Sequence, residues 1–220
     1  MKNLIILLCI EVFFCNLAFA KDNTPTHKVQ ADYGVGCRIS VELPISKDGG
    51  LGADAATGLG GMAVNPLPKA WASKLDALGF GISCKPAEEL DRPQTWGILD
   101  AKSQRWIKNP ESMRKELKAS ANVYERNLAD RIIATTNIYD IRAVNSHGWV
   151  ETFEDLTGDE SFRKRSLVFC LFESSKVLCG RGDVAYLNDG KRGDLTPIAL
   201  KIIQSIEFLP DVKPSKRDAK

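Results

Sequence analysis

The cysteines Cys170 and Cys179 lie at equal distances on either side of the dipeptide Ser174-Ser175. A two-residue turn at the serines places the two thiols opposite each other. The same turn places Glu173 opposite Lys176, and apolar residues opposite apolar residues, which are the pairs that antiparallel strands prefer. Directly opposed Cα atoms lie roughly 4.5–5.5 Å apart, within the range that a disulfide spans. The pattern therefore predicts a β-hairpin, its register and a disulfide together.

Residues 1–20 have the features of a secretory signal peptide. They contain the basic Lys2, a mainly apolar stretch from Leu4 to Phe14, and the small residues Ala18 and Ala20 before the cleavage point. We therefore predict a periplasmic or secreted protein whose mature chain has no membrane span. The formal net charge of +2 is dispersed along the sequence, which gives no reason to expect nucleic acid or an anionic membrane surface as a partner.

Two further cysteines, Cys37 and Cys84, belong to the mature chain. An even number of cysteines in an exported protein predicts disulfides, so we expect Cys37–Cys84 as the second bridge. Its loop of about 48 residues corresponds to on the order of 4 kcal/mol of stabilisation in the chain-entropy model. No pair of cysteines has the close spacing typical of zinc ligands, and we predict neither a metal site nor a cofactor.

The mature chain, residues 21–220, is predicted to form a single α+β domain. Its N-terminal part, residues 21–108, is expected to be irregular and rich in loops. In order, we expect a loose polar start at 21–31, a strand from Tyr33 to Leu43, a long surface loop from Ser46 to Pro68, a short helix from Pro68 to Leu78 and a short strand from Phe80 to Cys84.

Residues 109–209 are predicted to form a helix, a four-stranded meander and a second helix. Asn109 caps the first helix, and an apolar stripe spaced by three and four residues continues it to about Arg131. Thr196 is expected to cap the last helix, which leads into an edge strand at 205–208 and a charged tail at 210–220. The hairpin strands are apolar on both faces. The predicted fold class is therefore α+β, a sandwich-like antiparallel meander covered by helices and closed by two disulfides.

Catalytic groups are sparse in this sequence. The two histidines, His27 and His147, fall in predicted loops, and paired cysteines cannot act as nucleophiles. Ser112 and Lys115 match the Ser-x-x-Lys spacing of serine acyl-transfer enzymes, but the other elements of that signature are absent or misplaced. A serine hydrolase is therefore the least favoured alternative, and we predict that the protein is not an enzyme.

Two short motifs are better explained as turn chemistry than as binding sites. The segment Gly58 to Gly61 lacks the Lys-Ser/Thr pair of a phosphate-binding loop. The tripeptide Arg-Gly-Asp, known from integrin ligands, occurs at 181–183 and at 192–194, but Gly and Asp are also ordinary turn residues.

Four residues are candidates for contact with another protein. Trp96 and Trp106 lie in a segment without clear periodicity, and tryptophan is enriched at interaction hot spots. Arg163 and Arg165 form a small basic stretch that could pair with carboxylates of a partner.

The stretch from Phe162 through Phe208, a hairpin and a helix followed by Ser205-Ile-Glu-Phe208, resembles the end of small PsbP/Mog1-like α/β/α sandwiches. The overall profile, with a signal peptide, disulfides and no catalytic constellation, is similar to periplasmic immunity proteins of contact-dependent and type VI secretion systems. These observations predict an exported, non-enzymatic protein-binding protein, most concretely an immunity-type inhibitor of a toxin or effector. An envelope accessory or small-ligand binding protein is the alternative, and an apolar pocket between the sheet and its helix would favour it.

Overall fold

The computed structural model describes residues 24–34, 36–90 and 96–210, so the predicted signal peptide and charged tail lie outside the described residues. These residues form β1 (Thr26–Asp32), β2 (Arg38–Pro44), β3 (Gly50–Asp54), β4 (Leu59–Val64), β5 (Leu78–Pro86), β6 (Gly97–Asp100), β7 (Arg105–Lys108), α1 (Pro110–Ala119), α2 (Val123–Thr135), β8 (Asn137–Arg142), β9 (His147–Glu154), β10 (Lys164–Glu173), β11 (Lys176–Tyr186), the single helical turn α3 (Gly190–Gly193), α4 (Thr196–Gln204) and β12 (Glu207–Leu209).

A seven-stranded antiparallel sheet in the order β3-β4-β5-β11-β10-β9-β8 forms the centre of the fold. The predicted meander is its β8–β11 half, and the predicted register of the β10–β11 hairpin is confirmed. Cys170 pairs with Cys179, and Glu173 pairs with Lys176. Ser174 adopts a positive φ of 50°, as a tight turn between these strands requires.

The main core lies between this sheet and a smaller antiparallel sheet, β1-β2-β12, together with α4. Leu167, Phe169 and Leu171 of β10 point into it and are fully buried. The Cys37–Cys84 disulfide joins the start of β2 to β5 and therefore links the two sheets. The α+β class, the antiparallel sheets and both disulfides are thus confirmed. The core face of the large sheet, however, is covered by a second sheet and one helix, where the sequence predicted helices alone.

The other face of the large sheet carries α1, α2 and the β6–β7 hairpin. The Trp106 ring stacks on Phe172, with ring centres 6.2 Å apart, and meets Trp149 edge to face at 6.4 Å. The backbone N–H of Trp106 donates to Asp140 Oδ1 at 2.9 Å, and His147 Nε2 lies 2.6 Å from the same oxygen. Burial alone would raise the pKa of Asp140, but these hydrogen bonds and the neighbouring positive charges hold it below its usual range.

The helix predicted from Asn109 to about Arg131 is two helices. Asn109 caps α1 as predicted by accepting the Ser112 N–H at 3.1 Å, but α1 ends at Ala119. Asn122 then caps α2 by accepting the Tyr124 N–H at 3.0 Å. The two helices pack side by side and bury Met113, Leu117, Ala129 and Ile133 together. The predicted stripe is therefore buried only in α1, because Tyr124, which continues it in α2, is 65% exposed.

Three predictions for the N-terminal part are wrong. The start predicted to be loose contains β1, which pairs along its whole length with β2. The loop predicted from Ser46 to Pro68 contains the β3–β4 hairpin, and the segment from Pro68 to Leu78 forms no helix. In β3, Gly50 and Gly52 replace the side chains of one face, which removes the alternation that identifies a strand. β1 contains no glycine, but only Val29 and Ala31 in it are apolar, which is too few to reveal a strand.

The end of the described chain is fixed by two side-chain contacts. Thr196 is the first residue of α4 and not its cap, because Leu195 holds the cap position. The Oδ1 of Asp194, just before it, accepts the Thr196 N–H at 2.9 Å. The Asn145 side chain covers the free edge of β12: its Nδ2 donates to the Phe208 carbonyl at 2.7 Å, and its Oδ1 accepts the Phe208 N–H at 2.9 Å. An edge strand is thereby closed to further pairing at that position.

Candidate functional site: a groove on the open face of the sheet

A row of residues crosses the open face of the large sheet, opposite the main core. Glu151 of β9 pairs with Val168 of β10, which pairs with Arg181 of β11, which pairs with Gly81 of β5. Successive residues of a strand point to opposite faces of the sheet. Leu167 points into the core, so its neighbour Val168, and the row to which Val168 belongs, points away from it. The predicted hairpin register therefore determines which residues form the site.

Two adjoining cavities lie above this row. The larger, about 870 Å³, lies beneath α2, and the smaller, about 580 Å³, extends towards β4. Glu151, Phe153 and Arg181 line both cavities, so together they form one elongated trough, which we call the open-face groove. It crosses from β9 to β4, four interstrand steps, or roughly 19 Å at ordinary strand spacing.

The wall beneath α2 is mainly apolar. Its apolar members come from α1 and α2, from β9 and the turn that follows it, and from the start of the β6–β7 hairpin: Trp96, Leu117, Leu128, Ile132, Phe153 and Leu156. The backbone N–H of Trp96 donates to Glu151 Oε2 at 2.8 Å, and this bond ties the hairpin to the sheet. Glu151 is only 5% exposed, so its main role is to hold this wall in place.

The floor towards β4 includes three glycines, Gly60, Gly81 and Gly180, beside the side chains of Leu59, Ser83 and Val168. Gly52, Gly61 and Gly81 occupy one row across β3, β4 and β5, next to Arg181. A Cβ built on Gly52 or Gly81 would meet nothing within 4 Å, so the space above these residues is open. Cys179 of the hairpin disulfide also lines this part of the groove.

Exposed apolar side chains flank the groove at its two ends. Tyr124, at the start of α2, is 65% exposed, and Leu59, at the start of β4, is 56% exposed. Large apolar residues at the rim of a concave surface are typical of sites that bind another molecule.

Arg181 is the only lysine or arginine among the described residues that line the groove. Its guanidinium lies 5.6 Å from the centre of the Phe153 ring, a cation–π distance. No ion pair with Arg181 occurs in the described parts of the chain. The group is exposed and presents its charge to the groove.

The acidic residues of the lining, by contrast, have partners within the chain. Glu154 Oε1 pairs with Arg165 at 2.5 Å. Glu125 accepts hydrogen bonds from Ser120 and Asn122 near the start of α2. Asp155 closes its own turn by accepting the backbone N–H and the hydroxyl of Thr157 at 3.0 and 3.1 Å.

Of the four residues predicted to contact a partner, the structure brings only Trp96 to the groove. Trp106 is half-buried against Trp149 and Phe172. Arg163 donates to the carbonyls of Thr157 and Gly158 and pairs with Glu160.

Arg165 bridges Glu154 and Asp194. Burial alone would lower its pKa, but the hydrogen bond that it donates to Glu154 and the two negative charges raise the pKa above the ordinary value. Arg165 is thus committed to the fold rather than presented to the groove.

Phe153, Val168 and Arg181 were not among the predicted site residues. The sequence did carry a signal for them, since the mirrored cysteines fix the register that pairs Val168 with Arg181. Glycines spaced by two, Gly50 with Gly52 and Gly79 with Gly81, were a further sign of a strand with one bare face.

The groups considered for catalysis lie outside the groove lining. Ser112 lies on α1, its hydroxyl 3.5 Å from Glu116, and Lys115 on the same helix is exposed. His147 pairs with Asp140 beside the β6–β7 hairpin. Within the described ranges, no cluster of three or more His, Cys, Asp or Glu side chains could hold a metal ion, and no helix is long and apolar enough to cross a membrane.

Comparisons with known proteins give a distant likeness of fold. No family model matches the chain, and no curated protein matches it. Among solved structures, it is similar to the solution structure of cyanobacterial PsbP (CyanoP) from Synechocystis sp. PCC 6803, with 8% sequence identity and a TM-score of 0.39. The match covers 86% of this chain and 96% of that one. No functional residue is transferred from this match.

Proposed function

We propose that this protein is an exported, non-enzymatic binding protein that holds a segment of another protein in the open-face groove. The observation that carries the proposal is the form of the groove: an apolar wall under α2, a floor that includes three glycines and a length of roughly 19 Å. An extended peptide rises about 3.3 Å per residue, so about six residues fit along it. The two disulfides are compatible with an extracytoplasmic location.

Immunity is the most concrete form of this function. In that form the bound segment belongs to a toxin or effector, and its capture blocks the toxin's active site. The partner's activity then falls to zero at a 1:1 molar ratio (an expected stoichiometry), whereas an accessory protein of the envelope would bind without inhibiting.

A small apolar ligand is the second candidate occupant, and one observation favours it. The larger cavity alone, about 870 Å³, lies within the size range of small-molecule sites, and the sheet and α2 enclose it from two sides. A small ligand would fill the space under α2 and leave the glycine floor uncovered.

The test is site-specific photo-crosslinking with p-benzoylphenylalanine in an envelope extract of the source organism. The crosslinker replaces Tyr124 or Leu59, the exposed residues at the two ends of the groove, and in a matched control it replaces Ile45, which is 60% exposed and does not line the groove. We expect the same protein adduct from both groove positions and none from position 45. Adducts of equal yield at all three positions, or none at the groove positions, would contradict the proposal.

A further inference from the structure

Arg181 is the charged group of the groove that the chain leaves without a counter-charge. It is exposed, and no carboxylate lies within ion-pair distance of it among the described residues. The guanidinium lies 5.6 Å from the centre of the Phe153 ring, a cation–π contact that favours one position of the side chain. A guanidinium held in this way is a good donor to a carboxylate.

The sign of the missing charge follows from the other groups of the lining. Glu154 is neutralised by Arg165, and Glu125 and Asp155 accept hydrogen bonds from their own segments. Glu151 is buried and holds the Trp96 amide. Each of these carboxylates is thus held by groups of its own chain, whereas Arg181 has no carboxylate partner among the described residues, which favours an anion beside Arg181.

The position of Arg181 determines which groups of the ligand lie next to that anion. Phe153, which the guanidinium contacts, also lines the apolar space under α2, so an acidic group at Arg181 lies next to an apolar group in that space. On the other side, Gly81 and Gly61 follow Arg181 in the same row and present no side chains. A peptide backbone can therefore continue over them without a steric conflict.

We infer that the open-face groove recognises an extended segment in which an acidic side chain, bound by Arg181, directly adjoins an aromatic or aliphatic side chain that enters the space under α2. This inference rests on the proposed function and specifies the chemistry of the partner. The Arg-Gly-Asp tripeptide at 181–183 would then not be an adhesive motif. Arg181 lies on strand β11 and acts as a residue of the groove, not as part of an exposed loop.

The test uses three amidated heptapeptides with a Gly-Ser frame and a central Phe followed by Glu, Gln or Lys. Each is titrated into the mature protein and followed by two-dimensional ¹H–¹⁵N NMR, which detects millimolar affinities. We expect the Glu peptide to bind at least about tenfold more tightly than the Gln peptide, and the Lys peptide most weakly, because a charge-assisted pair is worth about one order of magnitude or more. The shifted amides should include those of Phe153, Val168 and Gly81.

The variant Arg181→Met should bind the Glu and Gln peptides equally, and Arg181→Lys should restore part of the difference. Arg192→Met, which changes the exposed arginine of the second Arg-Gly-Asp tripeptide, is the matched control and should leave the preference unchanged. Equal binding of the Glu and Gln peptides by the unaltered protein overturns the inference while leaving the groove function intact. Binding of none of the three peptides overturns both, and neither result depends on whether a variant folds.

Discussion

Gly182 and Gly81 lie one residue apart in register on the neighbouring strands β11 and β5 but face opposite sides of the sheet. A Cβ on Gly182 would lie 1.9 Å from the Gly79 carbonyl oxygen and 2.9 Å from the Phe80 ring. Backbone cannot rotate out of the way as a side chain can. The strands would have to separate by roughly 1 Å to reach the 3.0 Å that real Cβ contacts respect.

We therefore expect Gly182→Ala to lower the free energy of unfolding by about 3–4 kcal/mol, from overpacking and one or two weakened ladder hydrogen bonds. The control Gly81→Ala adds the same methyl group in open space on the other face. It should raise stability by less than about 1 kcal/mol, because alanine lowers the backbone entropy of the unfolded chain. Urea denaturation of the oxidised mature protein, followed by tryptophan fluorescence, measures both.

A loss below about 1 kcal/mol in Gly182→Ala would refute the steric argument and the strand register on which the groove depends. The Gly81→Ala variant has a second use, because its methyl group projects into the groove. If the glycine floor carries a bound backbone, this stable variant should bind the Phe-Glu peptide more weakly than the unaltered protein.

Three further outcomes follow from the contacts of the fold. Replacing both Cys37 and Cys84 by Ala should cost on the order of 4 kcal/mol, from the loop that the bridge closes across 47 positions, as measured by denaturation without reductant. The lowered pKa of Asp140 contributes stability that is present above about pH 4 and is lost as pH falls through its folded pKa, so Asp140→Asn should flatten the acid limb of a pH–stability curve; an unchanged limb would contradict this. Asn145→Ala should expose the Phe208 amide to faster hydrogen exchange and cost roughly 1–2 kcal/mol, and unaltered exchange would show that the edge is covered in another way.

The fold was most predictable where side chains identify both strands of a pair. The hairpin around Ser174 could be aligned because a charged pair, apolar pairs and a cysteine pair all support one register. The disulfide between Cys37 and Cys84 followed from that alignment by elimination. When matching residues occur on both strands of a hairpin, the two strands can be aligned without knowledge of the tertiary structure.

The groove could not be predicted in the same way because glycines interrupt the strands of its floor. β4, for example, carries the adjacent glycines Gly60 and Gly61, one on each face, which interrupt the apolar alternation, so that the strand resembles a loop. The end of α1 was missed for a related reason, since the apolar stripe continues into α2. The signal was present in the cap Asn122 followed three residues later by Glu125, a pattern that marks a new helix start.

The two disulfides differ in what covers their sulfur atoms. Cys37 and Cys84 are buried between the two sheets, whereas Cys179 is partly accessible on the glycine floor. An occupant that extends over that floor should slow the reduction of the bridge at Cys179 by a thiol and leave the rate at the Cys37–Cys84 bridge unchanged. The rate at which the Cys170–Cys179 bridge is reduced, divided by the rate for Cys37–Cys84, therefore reports whether the floor is occupied. Mass spectrometry can measure both rates on the same sample.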